Sequence, residues 1–500
     1  MGRLKTCPTI CNVPQTGIQP LPERTPDTCR FRVLEPHGRA RCGLVGVCAE
    51  SATLDLGTVE RETCAACCRM SEPSERNPNQ VVASLAHAMV ARRVATNDAP
   101  VEYVLAAERL AWIEQFLETS DSLEELPNSE GDVLGTARRG CRWIQNRWRR
   151  TWRMRPRIGL VGPNNQKGLG HLNRDLMKWL PIADWLTPES LAATAESLSI
   201  RERRRIQGFL SRLDVLLFAE TPFFDWLPRE ARTLGVRVVC VPNWEWLHPG
   251  LRWLHDVDLM ICPTWRAHAT LTEWRERFGF RWELRCCPWP IDVAAIPFRQ
   301  REVCRRFVFV NGTDRNHPQR RDGSVTAVRR KGIEWLIDAA RRLPHVPFLV
   351  WTQTDESLDV PGNVEIKGSV PMNADLYRDG DVCVQLSRWE GIGLPLLECQ
   401  AAGMPLITVD EAPMNEHHPF LAVPVADREL LELWPRRWIA APRVNPDDVV
   451  ATLAKCFGQD ISQASRASRD FVEREHSWHQ VRSQLLEWII GDAVPVGRKS

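Results

Sequence analysis

The chain has 500 residues, a formal net charge of +2 and an apolar fraction of 43%. That length implies roughly three domains, and so even a charge balance selects no nucleic-acid partner. No apolar run reaches the ~18 residues of a membrane span. The first residues, Met-Gly-Arg-Leu-Lys-Thr-Cys, lack the apolar core of a signal peptide, so a reduced, cytoplasmic setting is expected for the 17 cysteines.

Residues 1–75 form a cysteine-rich segment that holds Cys7, Cys11, Cys29, Cys42, Cys48, Cys64, Cys67 and Cys68. Cys64-Ala-Ala-Cys67 is a knuckle, and Cys29 and Cys42 would complete a four-thiolate set for zinc or an iron–sulfur cluster. So small a segment buries little core, and a metal would supply stability. The alternative is reduced cysteines that act as small core residues. Residues 76–155 follow as a helical, basic linker region, with apolar residues at helical spacing over 81–89 and 104–117. Within it, 138–157 carries nine arginines, no acid, and Trp143, Trp148 and Trp152. Such a helix suits peripheral contact with a membrane face or an anionic partner; the alternative is a solvated helix packed on its neighbour.

A first α/β domain is expected over 156–295. A short apolar strand, 157–162, runs into Pro163-Asn-Asn-Gln-Lys-Gly168-Leu-Gly170-His171 and then a helix. A glycine loop after the first strand is where such domains take a ligand. Further strands are expected at 215–219, 236–241, 259–262 and 284–287, at the rhythm of a parallel sheet. Each ends in polar residues: Glu220, then Asn243 and Glu245, then Thr264. Such residues collect in the ligand crevice or cap loops.

A second α/β domain is expected over 296–455, opening with a strand that ends at Gly312. Lys331-Gly332 opens an amphipathic helix over 333–343, and strands follow at 348–351 and 364–367. A buried strand, 382–386, then meets Ser387-Arg-Trp-Glu390-Gly391-Ile392-Gly393-Leu394-Pro395-Leu-Leu-Glu398. A helix ending at Gly403 and a strand over 405–409 complete the unit. Gly391 and Gly393 let a backbone approach a ligand, and Pro395 suits the first helical position. A helix N-terminus behind a glycine loop favours a diphosphate. Glu390 is expected at the strand's end and Glu398 in the first helical turn. Flanking a diphosphate, these carboxylates make sense as acceptors of hydrogen bonds from sugar hydroxyls on either side. The last segment, 456–500, is expected to hold one long helix over 461–490.

This stretch resembles the Glu-x7-Glu element of retaining GT-B glycosyltransferases of the family 4 type (glycosyltransferase group 1). The resemblance spans about 157–490 and implies two Rossmann-like parallel-sheet domains facing a cleft, here behind a cysteine-rich and helical extension. It implies transfer of a sugar from a nucleotide-sugar to a glycan or lipid-linked acceptor, with retention and without a required cofactor. Glu390 would contact the donor sugar and Glu398 the ribose. Gly391, Ile392, Gly393 and Leu394 would line the donor, and Lys331 would neutralise the diphosphate. Gly168 and Gly170 would approach the donor, and His171 would assist proton transfer or bind the acceptor. Glu220, Asn243 and Glu245 would lie on the acceptor side. The family places an Arg after the glycine that ends the second domain's first strand; Thr313 stands there. Arg330, Arg329, Arg315 and Arg320 are the candidates to replace it. The C-terminal helix would cross back to the first domain. A silent GT-B scaffold or a sugar epimerase would share the fold, and hydrolysis of nucleotide-sugars separates the scaffold from an enzyme.

Overall fold

The computed structural model describes residues 156–165, 168–188, 198–312, 330–354, 358–434 and 437–491. It also describes the strand backbones β1 (Arg32–Leu34) and β2 (Ala40–Cys42), which pair antiparallel, and helical residues between 104 and 116. Cys29, Cys64, Cys67, Arg315, Arg320 and Arg329 lie outside the described residues, as does 138–155 of the basic segment. Cys42 is described only as strand backbone.

The first domain is built from β3 (Ile158–Val161), α1 (Gly168–Trp179), β4 (Ile182–Leu186), α2 (Ile200–Leu210), β5 (Val215–Ala219) and α3 (Leu227–Thr233). It continues with β6 (Arg237–Val241), β7 (Leu259–Cys262), α4 (Trp265–Phe278) and β8 (Glu283–Cys286). All six strands, β3 to β8, pair parallel in the order β4-β3-β5-β6-β7-β8. Buried runs such as Val-Leu-Leu-Phe-Ala in β5 are what a sheet covered on both faces requires. On one face Ile206, Phe209, Leu271 and Trp274 pack on Leu216, Phe218, Val238 and Met260. On the other, Leu172 and Leu176 pack on Ile158, Leu160 and Leu217.

The second domain follows with β9 (Phe307–Gly312), α5 (Ile333–Arg342), β10 (Phe348–Thr352), β11 (Val364–Lys367), β12 (Val382–Gln385) and α6 (Leu394–Ala401). Then come β13 (Leu406–Val409), β14 (Leu421–Val423), a hairpin of β15 (Val425–Trp434) and β16 (Arg437–Val444), and α7 (Pro446–Cys456). Strands β9 to β14 form a second parallel sheet, ordered β11-β10-β9-β12-β13-β14. This strand order is the dinucleotide-fold order, and it reverses between β9 and β12, where ligands of such sheets bind. The molecule is thus a GT-B fold of two Rossmann-like parallel-sheet domains.

The chain does not end in one helix. Expected as continuous over 461–490, it divides into α8 (Ser462–Glu475) and α9 (Trp478–Ile490). At the break, Ile291 N–H donates to His476 O at 2.7 Å, and Ser477 caps α9 by accepting from His479 N. His476 Nδ1, 2.9 Å from Trp289 O, adds a second tie to the interdomain segment. These bonds hold the chain where it passes between domains, and a continuous helix would forgo them. Beyond the break, Trp478, Leu485 and Ile489 enter the core of the first domain beside Leu160 and Leu217. Phe471 and Val472 of α8 stay on the second sheet.

The hairpin β15–β16 was not anticipated. It leaves the second domain and packs Leu431, Ile439 and Ala441 into the first domain's core with Trp112, Trp253 and Trp274. Ala440 N–H donates to Glu108 Oε1 of the helical region between 104 and 116. At its root, Arg388 is buried, paired with Glu429 and Glu334 at 2.8 Å each, and stacked 3.9 Å from the centre of the Trp335 ring.

Candidate functional site

The site forms where the loop after β12 meets the ends of β5 and β6. Glu390 is not at the strand's end: β12 stops at Gln385, and Glu390 lies five residues on, within the loop. Glu398 likewise sits one turn into α6, as its fifth residue, because the helix begins at Leu394 after Gly393 in the left-handed region (φ 77°). Trp389 and Ile392 of this loop are buried among first-domain residues, so the loop is pressed between the two sheets.

Glu390 is 3% exposed. Its Oε1 pairs with Lys331 Nζ and accepts from Ser387 Oγ at 2.7 Å, while Oε2 lies 3.1 Å from Arg330. Burial pushes its carboxyl up, but the Lys331 and Arg330 charges and the bonds from Lys331 and Ser387 outweigh that and hold it at about 2. Lys331 is placed by Gly332, which occupies the left-handed region at φ 69°. A Cβ at Gly332 would come within 2.3 Å of Leu386 O, so a glycine is required there.

Glu398 is tied down by Tyr377 OH at 2.9 Å and Asn373 Nδ2 at 3.3 Å. Burial raises its carboxyl despite these bonds. Across the junction, Asp175 of α1 is raised to about 6 by burial and by the neighbouring Asp292 and Glu398 charges. His417 backs the loop: Gly393 would meet its Nε2 at 3.2 Å through a Cβ, and burial together with His476 pulls the imidazole down to about 3.

The first domain meets this loop with a different set of groups. Trp244 Nε1 donates to Glu390 O at 2.8 Å. A Cβ on Gly391 would lie 2.6 and 2.7 Å from the two carboxyl oxygens of Glu245 and 2.9 Å from Asn243 Cγ. Glu245 is 4% exposed, and burial lifts its carboxyl to about 8; Glu220, bonded to Asn243, is lifted by burial to about 7. The Arg330 charge opposes both shifts. Glu416, beyond β13, accepts from the N–H groups of Trp265 and Arg266 at 2.7 Å each, capping α4 from the opposite domain.

The structure therefore brings Lys331, Arg330, Glu390, Gly391, Asn243, Glu245 and Glu220 together. Thr264 serves as the N-cap of α4, accepting from Ala267 N. Gly170 is fixed by packing, since a Cβ there would fall 2.0 Å from Asn165 O, whereas Gly168 has open space. His171 stands half-buried in the first turn of α1. Ser387 and Trp244 were overlooked as site residues although both lie in stretches that attracted notice. Tyr377 and Asn373 carry no local signal and are found only through the fold, whereas His417 closes a loop, 410–417, expected from its place after a strand to face the cleft. Among the described residues, no group of three or more His, Cys, Asp or Glu side chains is placed to hold a metal. None of the described helices is long and apolar enough to cross a membrane.

Residues 323–432 match the model of the group 1 glycosyl transferases. The match contains Arg330, Lys331, Glu390 and Glu398. A search of curated proteins found no match. Among solved structures, the GtfA/B complex resembles the chain at 17% identity over 58% of it, with a TM-score of 0.41; the chain spans 60% of that protein's length. Sucrose-phosphate synthase from Thermosynechococcus elongatus is similar at 14% identity over 67% of this chain and 98% of its own, with a TM-score of 0.47. Anabaena HepE, in a structure with UDP and glucose, is similar at 11% identity over 67% of this chain and 99% of its own, with a TM-score of 0.48.

Proposed function

We propose that the protein transfers a sugar from a nucleotide-sugar to a glycan or lipid-linked acceptor, with retention of anomeric configuration, as a family 4-like glycosyltransferase. The observation that carries this reading is the Lys331–Glu390–Arg330 cluster beside a glycine loop and helix start, at the reversal point of the second sheet.

The chemistry follows from charge. As the bond from sugar to diphosphate loosens, negative charge grows on the leaving phosphate. Lys331 and Arg330, already gathered at the loop, stabilise it, with the N-terminus of α6 behind them. Held ionised, Glu390 is an acceptor for a donor-sugar hydroxyl, and it keeps both cations in place until the diphosphate shares them. Glu398, one turn into α6, accepts from the ribose in exchange for part of its bonding to Asn373 and Tyr377. The two cations supply the neutralising charge, so the reading requires no metal ion. His171 is the proton-handling candidate on the opposite face. The eight cysteines whose side chains are described are free, and the reduced cytoplasm is the proposed setting.

The test uses the full chain and a panel of nucleotide-sugars. Glu390→Ala and Lys331→Ala are each expected to lose turnover by about a hundredfold or more while retaining the far-ultraviolet spectrum of the folded protein. Full activity in both would sink the donor assignment. Glu398→Ala is expected to weaken nucleoside diphosphate binding about tenfold by calorimetry. An unchanged affinity would remove it from the ribose site.

A further inference from the structure

The chain enters and leaves the second domain at one place. Residues 302–304, which lead into β9, lie antiparallel to 458–461, which lead from α7 to α8. Cys304 N–H donates to Gln459 O at 3.1 Å, Gly458 N–H to Cys304 O at 2.8 Å, and Ile461 N–H to Glu302 O at 2.8 Å. Cys304 therefore sits within this short ladder. Cys456, the last residue of α7, is one turn away, where Gln459 N–H donates to Cys456 O at 3.2 Å. Both cysteines belong to one buried cluster with Phe307, Val449, Leu453 and Ile461. There the two thiols share a hydrogen bond, and both are free.

The proposed transfer uses neither group. Two thiols in contact are one two-electron oxidation from a disulfide, and how readily they react follows thiolate character and access. The bond from Cys304 holds the Cys456 thiol below its ordinary value against burial, while the same bond and burial push Cys304 up. The other shifted thiols among the described residues, Cys240, Cys262, Cys286, Cys287 and Cys399, all move up, with burial the main cause. A second pair, Cys383 of β12 and Cys399 of α6, also shares a hydrogen bond, but both residues are 0% exposed and the Cys399 thiol is raised. Cys456 is itself buried, yet Lys455, Gly458, Gln459 and Asp460 around it are exposed. Opening the last turn of α7 is enough to uncover it.

We propose that Cys304 and Cys456 form a reversible oxidation site, at which hydrogen peroxide converts the dithiol to a disulfide that clips the start of the second domain to the end of α7. The Cys456 sulfur attacks one peroxide oxygen, the O–O bond breaks, and the hydroxide that leaves takes up the Cys456 proton as water. The product is a sulfenic acid. The Cys304 sulfur attacks it, the S–S bond forms as the S–O bond breaks, and the second hydroxide leaves as water with the Cys304 proton. Two thiols have then lost two electrons, and peroxide has become two waters. A thiol reductant reverses the bond by exchange, so in a reducing cytoplasm the pair stands as a dithiol until peroxide outruns the reductant. The disulfide closes a loop of about 150 residues, nearly the whole second domain, and a cross-link restrains the unfolded chain more as its loop lengthens. The site involves no sugar and stands whether or not the donor reading does.

In the test, the full-length reduced protein is treated with hydrogen peroxide, its remaining thiols are alkylated, and its peptides are mapped by mass spectrometry. The expected product joins the Cys304 and Cys456 peptides with the loss of two hydrogens, and dithiothreitol restores both thiols. The oxidised wild type should melt about 10 °C above the reduced protein. Cys304→Ala keeps every other cysteine and should show no such rise under the same treatment. Alanine is chosen because a serine hydroxyl would be buried there. Should this variant not fold, the wild-type map and its melting shift decide the matter. The proposal is overturned by a wild-type map in which Cys304 and Cys456 remain thiols, by either residue joined to a different cysteine, or by an oxidised wild type whose melting temperature rises no more than that of Cys304→Ala.

Discussion

Glu390 and Glu245 face each other across the domain junction, both almost wholly buried, and titrate in opposite directions. Glu390 is held at about 2 and Glu245 is lifted to about 8. Burial acts on both in the same sense, so it does not decide the outcome. The difference lies in what each domain supplies. The second domain surrounds Glu390 with Lys331, Arg330 and Ser387, three donors of which two are cations. On the first domain's side, Glu245 has a neighbouring acid, Glu220, and an oxygen without a partner. One face is thus paired within the protein itself, and the other keeps a buried carboxyl oxygen without a partner. Under the proposed function the charged face is the one that suits a diphosphate.

The largest effect should come from removing the cation that makes Glu390 different. In Lys331→Ala the buried carboxylate keeps Arg330, which is a third exposed, and loses its closest partner. Breaking a buried pair on one side costs about 3–5 kcal/mol, and the remaining arginine puts the expected loss near about 3 kcal/mol in urea unfolding. The double replacement Lys331→Met, Glu390→Leu should recover most of that stability, since removing both charges also removes their desolvation. Turnover should stay lost in both. Equal stability loss in Lys331→Ala and in Glu245→Gln would erase the contrast between the two faces.

A smaller effect tests whether the two faces touch. Gly391 lies outside the left-handed region, so alanine meets no backbone objection there, only the Glu245 oxygens at 2.6 and 2.7 Å and Asn243 Cγ at 2.9 Å. Gly391→Ala should cost about 1–3 kcal/mol through crowding of a packed junction. In Glu245→Ala only Asn243 Cγ, 2.9 Å from the Cβ position, still crowds the site, and adding Gly391→Ala to it should cost about 1 kcal/mol less than in the wild type. The double-mutant cycle isolates the contact, because each site reaches the other directly. Additive losses would show that Gly391 and Glu245 do not meet in solution.

The second domain's site was the more legible of the two, and the reason is local. Glu390, Gly391, Gly393 and Glu398 fall within nine residues, and each answers a requirement of one loop and one helix start. Lys331 is distant in sequence but is marked by Gly332, whose φ demands glycine. The first domain's face draws Glu220, Asn243 and Glu245 from separate loops, and only the strand order sets them side by side. Strands β5, β6, β7 and β12 were plain as unbroken apolar runs. β4 was not, because Ile-Ala-Asp-Trp-Leu is a half-exposed edge strand without such a run. The hairpin β15–β16 was hidden for a different reason. Arg-Glu-Leu-Leu-Glu-Leu within β15 is composed of good helix formers, and it is extended because β16 pairs with it and the first domain's core receives its apolar face. The same dependence on the distant chain divides α8 from α9.

The smallest expected effect, and the one that reads the two carboxyls directly, is the pH dependence of stability. Glu245 has its folded value raised from 4.5 to about 8, so between those values the folded chain holds a proton that the unfolded chain has released. Stability attributable to it therefore falls as pH rises through that window. Glu390 has its value lowered from 4.5 to about 2; its contribution is present above about 4.5 and fades as pH drops toward 2. The groups that act on Glu245 are Glu220, Glu390 and Arg330, and of these Glu220 also titrates upward, to about 7. Asp175 has completed its own shift near 6. Above about pH 7, then, Glu245 takes the largest remaining part among these four carboxyls, with Glu220 completing its own titration. Melting temperature measured from about pH 5 to about pH 8 should decline for the wild type, and Glu245→Gln should flatten the decline most between about pH 7 and 8. Glu390→Gln should move that upper region only slightly, because Glu390 is the weakest of the named influences on Glu245, and should lose its penalty relative to wild type as pH falls below about 4.5. A decline above pH 7 that survives Glu245→Gln would mean that Glu245 is ionised in the folded protein, and the first domain's face would then be charged like the second's.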